Sequence, residues 1–164
     1  MDIEICEMKK ENWPEVSEIY SWWLENGNIT FHKKCPPYDD WDKGHLKDCR
    51  FIAKADGKTV GFCVLSPTSQ REAYKGVVEI SIYLKNGYTG YGIGKMLIEK
   101  MINESEKKGY WTLYASIFSI NKQCINMLEK CGFRYIGYRE KISKDKFGVW
   151  QDTTYMERRS KKIM

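Results

Sequence analysis

The chain predicts an α/β (α+β) fold: one mixed, mostly antiparallel central sheet with helices on both faces. Strand-period and helix-period segments alternate along the 164 residues, with no repeat, linker or low-complexity segment between them. Short turns outnumber helical crossovers, so most neighbouring strands must run antiparallel. The strongest strand, 77–84, leads through a glycine-rich turn into the strongest helix, 93–108, and that crossover makes the sheet mixed. At this length the chain predicts one domain, residues 1–164, which buries roughly two-thirds of its unfolded surface.

In order, Ile3 and Ile5 alternate with polar neighbours and read as a first strand ending near Met8. Asn12 can cap a helix with Pro14 in its first turn; Val16, Ile19, Tyr20, Trp23 and Leu24 repeat at helical spacing until Asn26-Gly27 stops it. Phe31 to Pro37 is irregular, and a short helix follows from Asp39 or Asp40 to about Lys47. Phe51–Ala55 and Val60–Leu65 flank Asp56-Gly57 as a hairpin. Ser66 to Gly76 is a loop before the strand at 77–84. The helix from Ile93 stops at Gly109, Trp111 to Ile117 is a strand, and Ser119 can cap a helix that Gly132 ends after Cys131. Phe133–Ile142 and Val149–Arg158 close the chain as paired strands.

Composition narrows the function classes. Apolar residues make up 42% and aromatics 14%, enough for a sizeable core. The 27 basic and 22 acidic residues leave a net charge of +5, mostly interspersed, a balance that suits a polyanionic small ligand as well as weak nucleic-acid affinity; with no long basic stripe, no nucleic-acid partner is expected. The run Arg158 to Lys162 reads as a frayed, solvated tail. Six cysteines form no C-x-x-C pair and only two histidines are present, so no metal site is expected and the thiols should be reduced and mostly buried. With neither a leader-like N-terminus nor a membrane-length apolar run, a cytoplasmic protein with no membrane partner is expected.

Thr89-Gly90-Tyr91-Gly92-Ile93-Gly94-Lys95 carries the clearest chemical signal. Glycine lets the backbone turn tightly and approach a ligand, and the first amides of a helix lack intrahelical partners, so the stretch can cradle an anion. Two commoner motifs fail by count. The dinucleotide fingerprint needs glycine at Lys95; the P-loop needs glycine at Thr89 and Ser or Thr at Met96. An ordinary mobile turn stands as the alternative.

These residues resemble the GNAT superfamily of acetyl-coenzyme A dependent N-acetyltransferases. Thr89 to Gly94 is similar to its Q/R-x-x-G-x-G/A signature, and Asn121 to Phe133 to its N-x-x-S/A-x-x-L/M-Y/H-x-x-x-G-F signature. Arg71-Glu72-Ala73-Tyr74, Val78 to Leu84 and Gly148 to Asp152 resemble the phosphinothricin (methionine sulfoximine) N-acetyltransferase branch. The resemblance implies acetyl-coenzyme A as co-substrate, without a metal. Its pantetheine would pair with the backbone of Ile82, Tyr83 and Leu84, and its pyrophosphate would lie on the amides of Gly90, Tyr91, Gly92, Ile93, Gly94 and Lys95, with Asn121 reaching the pantetheine. Thr89 stands where the family usually has Gln or Arg, which implies that one side-chain contact to phosphate is shortened or lost.

The resemblance also implies direct attack by a small-molecule amine in a ternary complex, and allows a homodimer. The amine would be that of an amino acid or analogue; a polyamine, an aminoglycoside, a protein N-terminus or non-catalytic acyl-coenzyme A binding are the alternatives. Glu79 is the expected base, on a strand face shared with Val77, Ser81 and Tyr83; an ordinary polar-face glutamate is its plain reading. The proton donor is open. Leu128 occupies the usual Tyr/His position, leaving Tyr83 or Cys124, and Cys124 also belongs to an apolar stripe facing the sheet. Arg71 and Tyr74 would line the acceptor pocket, Arg71 taking a carboxylate, and Phe31 would wall it. His32 and His45 are left as surface or loop residues.

Overall fold

The computed structural model describes residues 1–164. Seven strands form one sheet: β1 (Ile3–Glu7), β2 (Phe51–Ala55), β3 (Lys58–Pro67), β4 (Val77–Leu84), β5 (Thr112–Phe118), β6 (Arg134–Lys144) and β7 (Trp150–Arg159). Their order is β1-β2-β3-β4-β5-β7-β6, and every pairing is antiparallel except β4 with β5. Four helices cover it: α1 (Trp13–Asn26), α2 (Tyr38–Lys43), α3 (Ile93–Lys107) and α4 (Lys122–Lys130).

Strand alternation divides the core in two. On β3, Cys63 and Leu65 face a core built with Leu97, Ile98 and Met101 of α3 and Leu128 of α4. Phe62 and Val64 face the other core, with Val16, Ile19 and Tyr20 of α1 and Trp41 of α2. Helices therefore lie on both faces. The same alternation sends Val78 and Ile80 of β4 to the α3 side and Tyr83 to the α1 side.

Several boundaries differ from expectation, each for a local reason. Asn12 stands at the α1 N-cap, but its Oδ1 accepts from Lys9 N at 2.8 Å and caps the preceding turn instead. Helix α2 ends at Lys43, because Arg50 reaches back to the carbonyls of Asp42, His45 and Leu46 and holds that stretch open. Asn121, not Ser119, caps α4; the Ser119 hydroxyl is bonded to Thr154 Oγ1 at 2.7 Å. The basic C-terminal run is not a frayed tail: β7 extends through Arg159, and buried Ser160 donates to Glu106. All six thiols are unpaired, with Cys49 and Cys63 buried and the other four half-buried.

Candidate functional site

The site begins where the sheet comes apart. β4 and β5 pair only through Val77↔Thr112, Val78↔Leu113 and Glu79↔Tyr114. Gly76 anchors that stretch: its carbonyl accepts from Trp111 N and Thr112 N, and a Cβ there would lie 2.0 Å from the Trp111 ring. Beyond Glu79 the strands diverge, and β4 from Ile80 to Leu84 pairs with β3 alone. A cavity of about 250 Å³ fills the gap, reached by residues of β4, β5, α4 and the α1–α2 loop. Leu84 is already partly committed, because its carbonyl accepts from Trp23 Nε1 at 2.5 Å. The open β4 backbone lies mainly at Ile80 to Tyr83.

The end of β4 leads directly into the glycine turn. Gly90 and Gly92 have φ of 86° and 78°, left-handed values that glycine adopts without cost, and space beside both Cα atoms is open. No amide from Thr89 to Lys95 donates to a backbone carbonyl; the next to do so is Met96, to Gly92 at 3.1 Å. A row of unpartnered N–H groups at the N-terminus of a 15-residue helix suits an anion. Thr89, Tyr91 and Lys95 are exposed, and Lys95 lies 3.7 Å from Glu99. These residues fit the diphosphate of coenzyme A, and the open β4 edge fits an extended amide-bearing arm.

Lining the split are Glu79, Ile82, Tyr83, Phe31, Asn121 and Cys124, six of the expected site residues, drawn from three separate segments. Glu79 is half-buried and makes no ion pair or hydrogen bond within the protein, and burial raises its carboxyl above the ordinary range. Burial, reinforced by Tyr20, also raises the Tyr83 phenol, so it remains protonated at neutral pH; its ring lies 5.1 Å from Tyr20 and 5.3 Å from Phe62. The Cys124 thiol is pushed up to about 11 by burial. Asn121 Oδ1 accepts from Cys124 N at 3.3 Å, which leaves its amide Nδ2 as a donor. Phe31 packs on Phe118 at 4.5 Å and closes the β5 side. Leu128 lines the inner end but is 1% exposed, part of the core.

A second cavity, about 320 Å³, lies on the α1/α2 side of β3 and β4 and shares Glu79, Ser81, Tyr83 and His32 with the first. Tyr20, Trp41 and Phe62 give it aromatic walls, and Asp40 and His45 also line it. Arg71 and Tyr74 line neither cavity: both are exposed on the turn 71–74, where Arg71 N donates to Ser69 Oγ. Sequence reading missed His32, Asp40, Trp41 and His45 as site residues. Their chemistry is legible in the sequence; their convergence depends on how α2 packs on β3. Asp40 signalled only a helix start.

The α1–α2 loop that carries Phe31 and His32 is fastened from the far side. Asp145 accepts from Asn28 Nδ2 at 2.9 Å, from Gln151 Nε2 at 2.8 Å and from the amides of Phe147 and Val149, and these bonds, the Asn28 one foremost, hold its carboxyl down at about 2. Lys146 Nζ adds bonds to the carbonyls of Leu24 and Glu25 at the end of α1. The β6–β7 turn thus sets the position of one wall of the split.

A split parallel pair running into an unpartnered amide row has the shape and polarity to suit an extended, phosphate-bearing ligand laid along a strand. The profile of the Acetyltransferase (GNAT) family matches residues 13–133, and the chain belongs to that family. Among curated relatives it is 29% identical over 103 residues to an L-methionine sulfoximine/L-methionine sulfone acetyltransferase of Pseudomonas paraeruginosa, covering 63% of this chain and 59% of that protein. It is 26% identical over 158 residues to a phosphinothricin N-acetyltransferase of Alcaligenes faecalis, covering 92% and 79%. The N-acetyltransferase from Staphylococcus aureus Mu50 superposes with a TM-score of 0.88 at 26% identity, covering 97% of this chain and 99% of that one. A GNAT superfamily phosphinothricin acetyltransferase from Sinorhizobium meliloti, solved in complex with AcCoA, gives 0.87 at 24%, covering 97% and 89%. No helix is long and apolar enough to cross a membrane.

Proposed function

We propose that this protein transfers the acetyl group of acetyl-coenzyme A to the primary amine of an amino acid or close analogue, by direct attack in a ternary complex. The observation that carries this reading is the parting of β4 from β5 at Glu79, which places an unpartnered carboxylate at the head of an open strand edge that leads to unpartnered amides. Bound acetyl-coenzyme A supplies an activated thioester. Ile82, Tyr83 and Leu84 hold its pantetheine, with the Leu84 carbonyl kept by Trp23, and Gly90 to Lys95 hold its diphosphate.

Glu79 takes the proton that the acceptor ammonium must lose to expose its lone pair. A carboxylate raised by burial is better matched to that task than an ordinary one. A backbone N–H of the open β4 edge polarises the thioester carbonyl. The raised Tyr83 phenol stays protonated and donates a hydrogen bond to the departing sulfur; the half-buried Cys124 thiol lines the same cavity. Arg71, exposed on the loop that leaves β3 after Pro67, meets the acceptor's carboxylate with its two-pronged guanidinium.

The test is steady-state thiol release with acetyl-coenzyme A and a panel of amines: neutral amino acids and sulfoximines, polyamines, aminoglycosides and a peptide N-terminus. Turnover with amino acids is expected, with Arg71→Ala raising the acceptor KM more than it lowers kcat. Coenzyme binding without release for every amine would overturn the enzyme reading.

A further inference from the structure

The second cavity differs from the split in what it offers a ligand. About 320 Å³ is the low end of the range for small-molecule pockets, and its aromatic walls, Tyr20, Trp41 and Phe62, are all buried and fixed by packing. Its floor is the Glu79–Ser81–Tyr83 face of β4, so a group seated there lies one side chain away from the split.

Its carboxylates, Asp40 and Glu79, face no lysine or arginine, and His32 and His45 are its imidazoles. Asp40 is exposed at the first turn of α2 and forms no ion pair. The nearest guanidinium on that wall, Arg50 over Trp41 at 5.1 Å, is spent on Asp42 at 2.6 Å and on three carbonyls. His45 stacks on Trp41 at 4.4 Å and shares a 2.6 Å hydrogen bond with its carbonyl, and burial lowers its pKa, so it adds no positive charge at neutral pH.

We infer that this cavity receives the acceptor's side chain, and that Asp40 makes it select neutral or cationic side chains over acidic ones. The inference rests on the amino-acid reading above and narrows it. An apolar or aromatic stem buries surface against Tyr20, Trp41 and Phe62. A terminal carboxylate or phosphinate would have to leave water for a site where a like charge waits and no cation answers it. A sulfoximine or amide end meets no such penalty.

The experiment uses the purified full chain with saturating acetyl-coenzyme A at about pH 8, where an unperturbed imidazole is uncharged. The readout is kcat/KM for two matched pairs, L-glutamine against L-glutamate and L-methionine sulfoximine against phosphinothricin. The neutral member of each pair is expected to be favoured by about tenfold or more. Asp40→Asn should narrow both ratios, and Asp40→Lys should shift them toward the acidic member by about tenfold, with the acetyl-coenzyme A KM and the circular dichroism of the native protein retained. Equal kcat/KM within each pair in the native protein, or ratios unmoved by Asp40→Lys, would overturn the charge selection while leaving the acetyltransferase reading intact. Turnover confined to amines that are not amino acids would overturn both.

Discussion

Replacing Glu79 by glutamine isolates the side chain proposed to take the acceptor's proton. The carboxylate has no partner within the protein, so the amide forfeits no internal hydrogen bond. It also removes a charge that burial disfavours, so the fold should not suffer, with a Tm change within about 2 °C. Loss of a positioned general base costs about 10²- to 10⁴-fold in kcat, or ~2.7 to 5.5 kcal/mol of barrier. The pH profile supplies a second readout. The base works only when deprotonated, and burial raises its pKa above 4.5, so native activity should climb with pH through a limb displaced upward from that value. In Glu79→Gln the limb should vanish, with the acetyl-coenzyme A KM nearly unchanged. The assay is thiol release across pH at saturating acceptor. A variant that keeps kcat within about threefold of the native enzyme, well short of the loss a general base should cause, and also retains the limb, would remove Glu79 from the mechanism.

Three further outcomes follow. Gly92→Ala forces an L-residue into φ near 78° with open space around its Cβ, a strain of about 1–2 kcal/mol that should raise the acetyl-coenzyme A KM about 5- to 30-fold; an unchanged KM would detach the turn from the cofactor. Asp145→Asn should raise the acceptor KM and lower Tm at neutral pH. Because the folded carboxyl is depressed to about 2, its stabilisation is present above the unfolded value near 3.9 and lost as pH falls towards 2, so native and variant Tm should converge there; a constant gap would contradict the clasp. Tyr83→Phe should lower kcat by about 10- to 100-fold, while Cys124→Ala stays within about twofold, measured by thiol release; the reverse ranking would move the donor to Cys124.

What the sequence disclosed depends on how local the cause is. The alternation of β4 was legible because each side chain's face follows from the strand itself, and Val78, Ile80 and Tyr83 fall on the faces their spacing implied. The glycine turn was legible because positive φ is a single-residue property. Helix starts were less so: Ser119 and Asn121 are both good caps, and the choice is made by Thr154, thirty-five residues away, which takes the Ser119 hydroxyl. The acceptor side was the least legible. Arg71 has the right chemistry, but its loop leaves it outside both cavities, whereas Asp40 reaches the second through the packing of α2 and His32 reaches both from the loop that the Asp145 clasp holds. A helix-starting aspartate and a loop histidine carry no sequence mark of such convergence.

The two cavities meet at β4 because one strand offers two unlike surfaces. Its edge, freed where β5 turns away, presents backbone groups that are indifferent to side-chain identity. Its α1-side face presents Glu79, Ser81 and Tyr83, which depend wholly on it. On the proposed reading, donor binding written in backbone can persist while the acceptor changes, since substitutions at 79, 81 and 83 leave the backbone groups of that edge in place. The α3-side face, Val78 and Ile80, is committed to the core. Truncating either to alanine should appear as lost stability, about 1–4 kcal/mol for such buried side chains, before it appears in acceptor choice. On the same proposed reading, the position at which the chain leaves its parallel partner, immediately after Glu79, is where donor and acceptor meet, and the carboxylate stands at that junction.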